Sequence, residues 1–291
     1  MLYIGQGNEV KYVAYDTVRR MERDMAVQTV FKRYEKKYFL TREQEQEFLK
    51  RIEGRMELDQ YGEHTVCNIY FDTPDFDLIR TSIEKPVYKE KLRLRSYGVP
   101  ENGFSKVFVE IKKKYDGVVY KRRVQMTLNE AEDYLYNGIH PDKDTQIMRE
   151  LDWFLKSYPV EPAVYLAYDR RAFAGIENPE FRLTLDRNIR ARRRQLNLAD
   201  GAVGESIIPD NMTLMEIKIP GVMPLWMSQI LSDMGIFPTS FSKYGSYYTQ
   251  HPELFMTVVN NHRPYFDLDN DVVAIDALRA KKDVKHLKLH S

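Results

Sequence analysis

The stretch VYKEKLRLRSYG, residues 87–98, places Lys89, Lys91, Arg93 and Arg95 on every second position, with Glu90, Leu92 and Leu94 between them. Side chains of an extended chain project alternately to opposite faces, so four cations share one face and two leucines the other. Like charges held this close repel one another unless water or a bound anion neutralises them. A strand written this way needs an apolar layer on one side and a polar space on the other.

The pattern recurs. In RYEKKY, Arg33, Glu35 and Lys37 fall on one face, and in VFVEIKKK, Glu110, Lys112 and Lys114 do. YDRRAF aligns Tyr168 with Arg170, FRLTLDR aligns Arg182, Thr184 and Asp186, and LMEIKIP aligns Glu216 with Lys218. A single basic strand reads most simply as an edge strand protected by lysines. Five or six such strands require a solvent-filled inner face or a bound polyanion. Phosphate oxygens supply suitable countercharge, and arginine forks hold them bidentately.

The charge balance supports a local site rather than a global one. The 291 residues carry 44 Lys and Arg against 43 Asp and Glu, a net charge of +1. Between Lys89 and Arg123, however, eleven basic residues face only four acidic ones. No helix-turn-helix and no RNP-like aromatic pair accompanies them, so no nucleic acid is expected as a partner. The 20 Tyr and 14 Phe are read as packing residues of the core and barrel. A single cysteine, Cys67, excludes an internal disulfide and a thiolate zinc cluster. The six histidines lie outside the charged faces and show no metal spacing. Asp72, Asp75 and Asp77 lack the glycine and closing glutamate of a calcium loop and are read as caps. With no signal-like N-terminus and no long apolar run, a cytoplasmic protein is expected.

The order of elements completes the fold reading. Residues 10–30 suggest an amphipathic helix, and Thr41 with Gln44 forms a capping box for a helix in TREQEQEFLKRIE. Pro74 is expected to start a helix in PDFDLIRTSIE, and Asp116-Gly117 a two-residue hairpin turn. Residues 129–158 and PLWMSQILSDMG read as helical. No GxGxxG or GxxxxGK[ST] motif is present. About eight strands with charge at alternate positions argue against a parallel sheet buried on both faces. The expected class is α+β: an eight-stranded antiparallel β-barrel tunnel flanked by helices, over residues 31–255. Residues 1–30 are read as a helical extension and 256–291 as a partly helical C-terminal extension packed on or beside the tunnel domain.

Eight segments in order, RYEKKYFL, IYFDTPDFD, KLRLRSYG, VFVEIKKK, YDRRAF, FRLTLDRNI, LMEIKIPG and FSKYGSYY, together resemble the VTC domain. That domain is the catalytic part of the vacuolar transporter chaperone and its bacterial relatives, within the triphosphate tunnel metalloenzymes. The resemblance spans roughly residues 30–250. It implies a tunnel that binds ATP and polyphosphate or triphosphate, with Mn²⁺ or Mg²⁺ as cofactor, and a polymerase that extends polyphosphate and releases ADP. Its phosphate ligands fall on Lys37, Arg93, Arg95, Lys112, Arg170, Arg182 and Lys243, and its metal glutamate on Glu216. Shared strand faces add Arg33, Lys91 and Lys218 as phosphate candidates, and Glu35 and Glu110 as metal candidates. Lys37, Arg93, Arg95 and Glu216 are the catalytic candidates. The family pattern has a lysine where this chain has Ser240. The transmembrane helices and SPX-type domain of eukaryotic relatives have no counterpart here, so any membrane channel taking up the product is a separate chain. Peripheral attachment at the inner face of the membrane would then run through that partner. A tripolyphosphatase or nucleoside triphosphatase in the same tunnel, and a non-catalytic polyphosphate binder, use the same cations.

Overall fold

The computed structural model describes residues 33–116 and 118–255; the helix expected over residues 10–30 and the C-terminal extension lie outside the described residues. Ten strands form one antiparallel sheet. They are β1 (Arg33–Thr41), β2 (Met56–Asp72), β3 (Tyr88–Tyr97), β4 (Lys106–Tyr115) and β5 (Val118–Thr127). After them come β6 (Glu161–Gly175), β7 (Arg182–Arg192), β8 (Glu205–Ser206), β9 (Met212–Pro220) and β10 (Pro238–Thr239). The order across the sheet is β10, β1, β9, β7, β6, β2, β3, β4, β5, with β8 attached to β7. The eight expected strands are present, and the two-residue strands β8 and β10 are additions.

Six helices pack on this sheet: α1 (Arg42–Ile52), α2 (Asp77–Glu84), α3 (Leu128–Asn137), α4 (Gln146–Ser157), α5 (Leu225–Asp233) and α6 (Lys243–Gln250). Thr41 and Gln44 form the expected capping box at α1. The turn between β4 and β5 has two residues, since Tyr115 pairs with Val118, and Asp116 takes φ 45° there. Pro74 does not begin α2, which starts at Asp77. The buried Asp72 carboxylate caps that helix instead, accepting from the backbone N–H groups of Leu78 and Ile79. A carboxylate already fixed at the end of β2 makes a proline at the first helical position unnecessary.

Strand alternation sorts the core. Leu92, Leu94, Val109 and Ile111 are fully buried and pack with Ala131, Leu151 and Phe154 of α3 and α4. On the same side of the sheet, Leu183, Leu185, Met215 and Ile217 pack with Phe48 of α1 and Met227 of α5. The opposite face is apolar only where α2 and α6 cover it, through Val66, Leu166, Ile189, Leu214, Ile79, Tyr244 and Tyr247. The remainder of that face carries the charged side chains.

The sheet curls without closing. Lys114 of β4 and Glu35, Lys36 and Lys37 of β1 line one cavity of about 380 Å³, together with Thr239 and Ser240. Yet the end strands β10 and β5 do not pair with each other among the described residues, so the closed barrel expected from sequence is an open, tunnel-like sheet. Both edges carry a physical reason. β5 presents the exposed run Lys121, Arg122 and Arg123, whose hydration and mutual repulsion oppose a further strand. β10 has two residues, and Pro238 has no N–H to donate.

Leu94→Ala removes a fully buried side chain from beneath α3 and α4. The expected cost is about 2–5 kcal/mol of unfolding free energy, read from urea denaturation. A loss under ~0.5 kcal/mol would contradict the assignment of that face to the core.

Candidate functional site

Antiparallel register sets the charged residues side by side. Lys37 lies opposite Glu216, which lies opposite Thr184; Asp186 lies opposite Arg170. Farther along the curl, Arg95 lies opposite Asn68, and Arg93 opposite both Tyr70 and Glu110. The face divides into two electrical regions joined at Tyr168, whose hydroxyl accepts from Arg95 while Arg170 and Lys243 lie 4.9 and 4.6 Å from its ring centre.

The first region gathers carboxylates and cations in nearly equal number. Arg170 forks onto Asp186 with bonds of 2.6 and 2.8 Å. The Lys243 ammonium bridges Asp186 at 2.7 Å and Glu216 at 3.1 Å. Lys37 lies 3.3 Å from Glu216 and 3.7 Å from Glu35, and donates to the Phe241 carbonyl at 2.9 Å. Burial opposes ionisation of Glu216, but Lys243, Lys37 and Arg170 outweigh it and hold the carboxyl well below its usual range. Asp186 is likewise held low against burial, by Lys243 and Arg170. Lys243 opens α6, where the helix dipole disfavours a cation. The two carboxylates compensate: although burial favours its neutral form, Asp186 and Glu216 raise the Lys243 ammonium above its ordinary range. Lys218, half-buried beside Glu35 in register, is lowered by burial and by Arg170.

The second region is net positive. Both Arg93 Nε and Nη2 reach Glu110 Oε2, at 2.7 and 2.6 Å, and Arg95 stands 3.8 Å away. Lys121 of β5 faces Oε1 at 3.1 Å. Burial raises the Glu110 carboxyl, but these three cations overcome it and hold it at about 2. Lys91 is brought down to about 8, first by burial and then by Lys112 and Lys89, against the opposing pull of Tyr70. Although the Lys121 side chain is partly exposed, desolvation of its ammonium against the face, with Arg93 and Arg95, lowers it to about 8 despite Glu110. The Tyr70 phenol is also lowered to about 8, because Arg93, Arg95 and Lys91 overcome its burial.

Glu35, Lys37, Arg170, Glu216, Lys218 and Lys243 come together in the first region, and Lys91, Arg93, Arg95 and Glu110 in the second. Glu110 shares no ion-pair partner with Glu35 or Glu216, so the three glutamates do not form one metal site. Register is the reason: β4 carries Glu110 opposite Arg93, six strands along the sheet from β1. Arg182 is exposed and donates to the Pro179 carbonyl, and Lys112 is exposed on the same face as Lys91. Arg33 begins β1 opposite Pro220, and its side chain lies outside the described residues. Two site residues were visible in sequence only as members of a face, Asp186 and Tyr168, and Lys121 only as one of the eleven basic residues between Lys89 and Arg123. Asn68 and Tyr70 gave no signal, because TVCNIY, the part of β2 around them, has no charged side chain at alternate positions.

The donor chemistry near Glu216 fits a hard divalent cation. Glu35, Asp186 and Glu216 offer only oxygen, and the buried Thr184 hydroxyl, opposite Glu216, has no hydrogen-bond partner among the described residues. No group of three or more acidic, histidine or cysteine side chains forms a ready-made metal nest among the described residues. An ion here would need further oxygens from a phosphate ligand, as is usual for Mg²⁺.

A family model for the VTC domain matches residues 32–250. The chain belongs to the VTC domain family. This is the family that the eight sequence segments resemble. No curated protein matches the chain. Among solved structures, this VTC domain is similar to a Bacillus halodurans protein named for adenylate cyclase, with 17% identity and a TM-score of 0.46 over 72% of this chain and 92% of that one. A Vibrio parahaemolyticus protein of the same naming has 14% identity and a TM-score of 0.42, covering 74% and 97%. A Mimivirus capping-enzyme triphosphatase has 11% identity and a TM-score of 0.31, covering 80% and 98%. Among the described residues, no helix is long and apolar enough to cross a membrane.

An oligophosphate anion bound on this face would favour the protonated forms of Lys91 and Lys121, so its affinity should fall as pH rises through about 8. Between pH 7 and pH 9, calorimetry with tripolyphosphate should show a loss of about tenfold or more, with proton uptake on binding. Lys91→Met should flatten that profile. An affinity independent of pH across this window would contradict the assignment of these lysines to the binding face.

Proposed function

We propose that this VTC domain is a metal-dependent polyphosphate polymerase that moves the γ-phosphate of ATP to the end of a polyphosphate chain and releases ADP. One observation carries the choice of transfer over hydrolysis. The buried carboxylates ion-paired to the cations of the face, Glu110, Asp186 and Glu216, are held ionised below their usual range, while the raised Asp72 carboxyl is committed to capping α2. Carboxylates this acidic are weak general bases, and attack by water benefits from a strong one. A terminal phosphate oxygen is already anionic and needs no base.

The transfer balances without a proton. A terminal oxygen of the acceptor chain forms a bond to the γ-phosphorus, and the bond from that phosphorus to the β–γ bridging oxygen breaks. ADP leaves with the electron pair. Such a reaction depends mainly on positioning and on neutralising charge spread over the phosphoryl oxygens. Arg93 and Arg95 suit the grip on a phosphate, since the Arg93 fork already holds the Glu110 carboxylate and Arg95 stands 3.8 Å from it. Lys37, with Lys243 beside it, suits the neutralisation of a single developing oxygen charge. Glu216, with Asp186 and Glu35 near it, would hold Mg²⁺ or Mn²⁺. The ion would add positive charge against the phosphates. Lys91, Lys112 and Lys114 extend the basic path for a growing chain along β3 and β4.

The full chain given ATP, Mn²⁺ and a short polyphosphate primer should yield ADP and long chains with little orthophosphate. ADP and orthophosphate as the only products, with Mg²⁺ as with Mn²⁺, would assign the tunnel to hydrolysis. Glu216→Gln should keep the fold and lower metal-dependent turnover by about a hundredfold or more. Unchanged turnover and metal affinity in that variant would remove Glu216 from the ion. Ser240 shares the cavity at the seam with Lys37 and Lys114. Ser240→Lys should therefore tighten polyphosphate binding several-fold at low salt, an effect lost as ionic strength rises. No change at any salt concentration would place the chain path elsewhere.

A further inference from the structure

The charged face does not end at Arg95. Two residues on along β3, on the same side of the strand, stands Tyr97, and beside Arg95 on β4 stands Phe108. The rings of Tyr97 and Phe108 meet edge-on with centroids 5.7 Å apart. His64 of β2 meets Tyr97 at 5.8 Å, and Tyr61 meets His64 at 6.3 Å. Arg123 of β5 lies over Phe108 at 4.9 Å. Four rings thus form a continuous row at one end of the phosphate face. Although aromatic, the row is not core: Tyr61 is 69% exposed and Tyr97 49% exposed. Tyr61 and Tyr97 thus stand outside the packing role read for the tyrosines from sequence.

Two features give the row a polar, ligand-facing character. The His64 Nδ1 atom is buried and has no hydrogen-bond partner among the described residues. Arg95, the neighbour of Phe108 in register, is buried and directs its guanidinium to Asn68 and Tyr168 within the phosphate face. A cation region followed by exposed rings one two-residue step away, about 7 Å along a strand, matches a nucleotide: phosphates, then sugar, then a flat base. We propose that Tyr61, His64, Tyr97 and Phe108 form a stacking platform for the nucleobase of the nucleoside triphosphate whose phosphates lie along Arg93 and Arg95. The donor nucleotide then enters at the Tyr97 end of the face. The acceptor chain lies toward Lys91, Lys112 and Lys114. Stacking is tolerant of base identity because every base has a π-face. The platform therefore selects a nucleotide over a bare triphosphate, and selects among bases only weakly.

This inference rests on the phosphate-binding reading of the face, and the comparison of two ligands separates the two. The full chain is titrated with ATP and with tripolyphosphate at fixed salt and pH. Wild type should bind ATP more tightly than tripolyphosphate of equal charge. Tyr97→Ala should weaken ATP by about tenfold, within the range for losing one base–aromatic stack, and leave tripolyphosphate within twofold. Tyr97→Phe should retain ATP affinity, which also guards against a folding defect in the alanine variant. GTP should behave like ATP throughout. Equal losses for ATP and tripolyphosphate in Tyr97→Ala, or no loss for either, would overturn the platform while leaving phosphate binding intact. If wild type binds neither ligand, the phosphate reading falls and the platform falls with it.

Discussion

Crowding of like charges on one face of a curled sheet is the constraint on which the rest of this structure depends. Arg93, Arg95, Lys91, Lys112 and Lys121 lie on adjacent strands within hydrogen-bonded register. Left alone, they would push those strands apart. Two arrangements oppose that. Glu110 sits among Arg93, Arg95 and Lys121, and the reverse sides of the same strands bury Leu92, Leu94, Val109 and Ile111 under α3 and α4. The apolar side fixes which way each strand faces, because a one-residue slip would send every leucine to the charged side. The cationic face is thus held in place by the core behind it.

Between its two regions the face changes in kind. Around Glu216, cations and carboxylates nearly balance, and buried groups such as Lys243 and Asp186 are tightly paired. Around Arg93 the cations outnumber the single carboxylate. An anion gains most at the second region, while the first offers oxygen donors to a cation and ammonium groups to a developing charge. Under the proposed phosphoryl transfer one phosphate would meet both kinds of surroundings, and Tyr168 stands where they join.

Leaving the sheet open has its own consequence. A closed barrel would leave only two ends for entry. Here the cavity between β4 and the β1–β10 edge gives the face a lateral opening lined by Lys36, Lys37, Lys114 and Ser240. A long polyanion can be accommodated by such a seam without threading a complete ring. The basic edge strand β5 keeps the seam from pairing with another chain, since exposed lysine and arginine resist edge-to-edge association.

Period-two alternation is a local property, and the sequence by itself determined what depends on it. Arg93 and Arg95 share a face, Leu92 and Leu94 share the other, Thr41 and Gln44 cap α1, and Asp116-Gly117 turns the β4–β5 hairpin, because each involves residues within a few positions of one another. Eight such segments in order were enough to indicate the family. What lay across the sheet was decided only by tertiary structure. That Glu110 joins Arg93 and Lys121 rather than Glu216, that Asp186 pairs with Arg170, and that Lys243 reaches both carboxylates from the start of α6 are matters of register and helix docking. The barrel was legible only approximately for the same reason: among the described residues the antiparallel sheet curls but stays open. Alternation says which way a side chain points, but which strand lies beside which follows from long-range packing and from edges, such as β5 and β10, that have no further strand among the described residues.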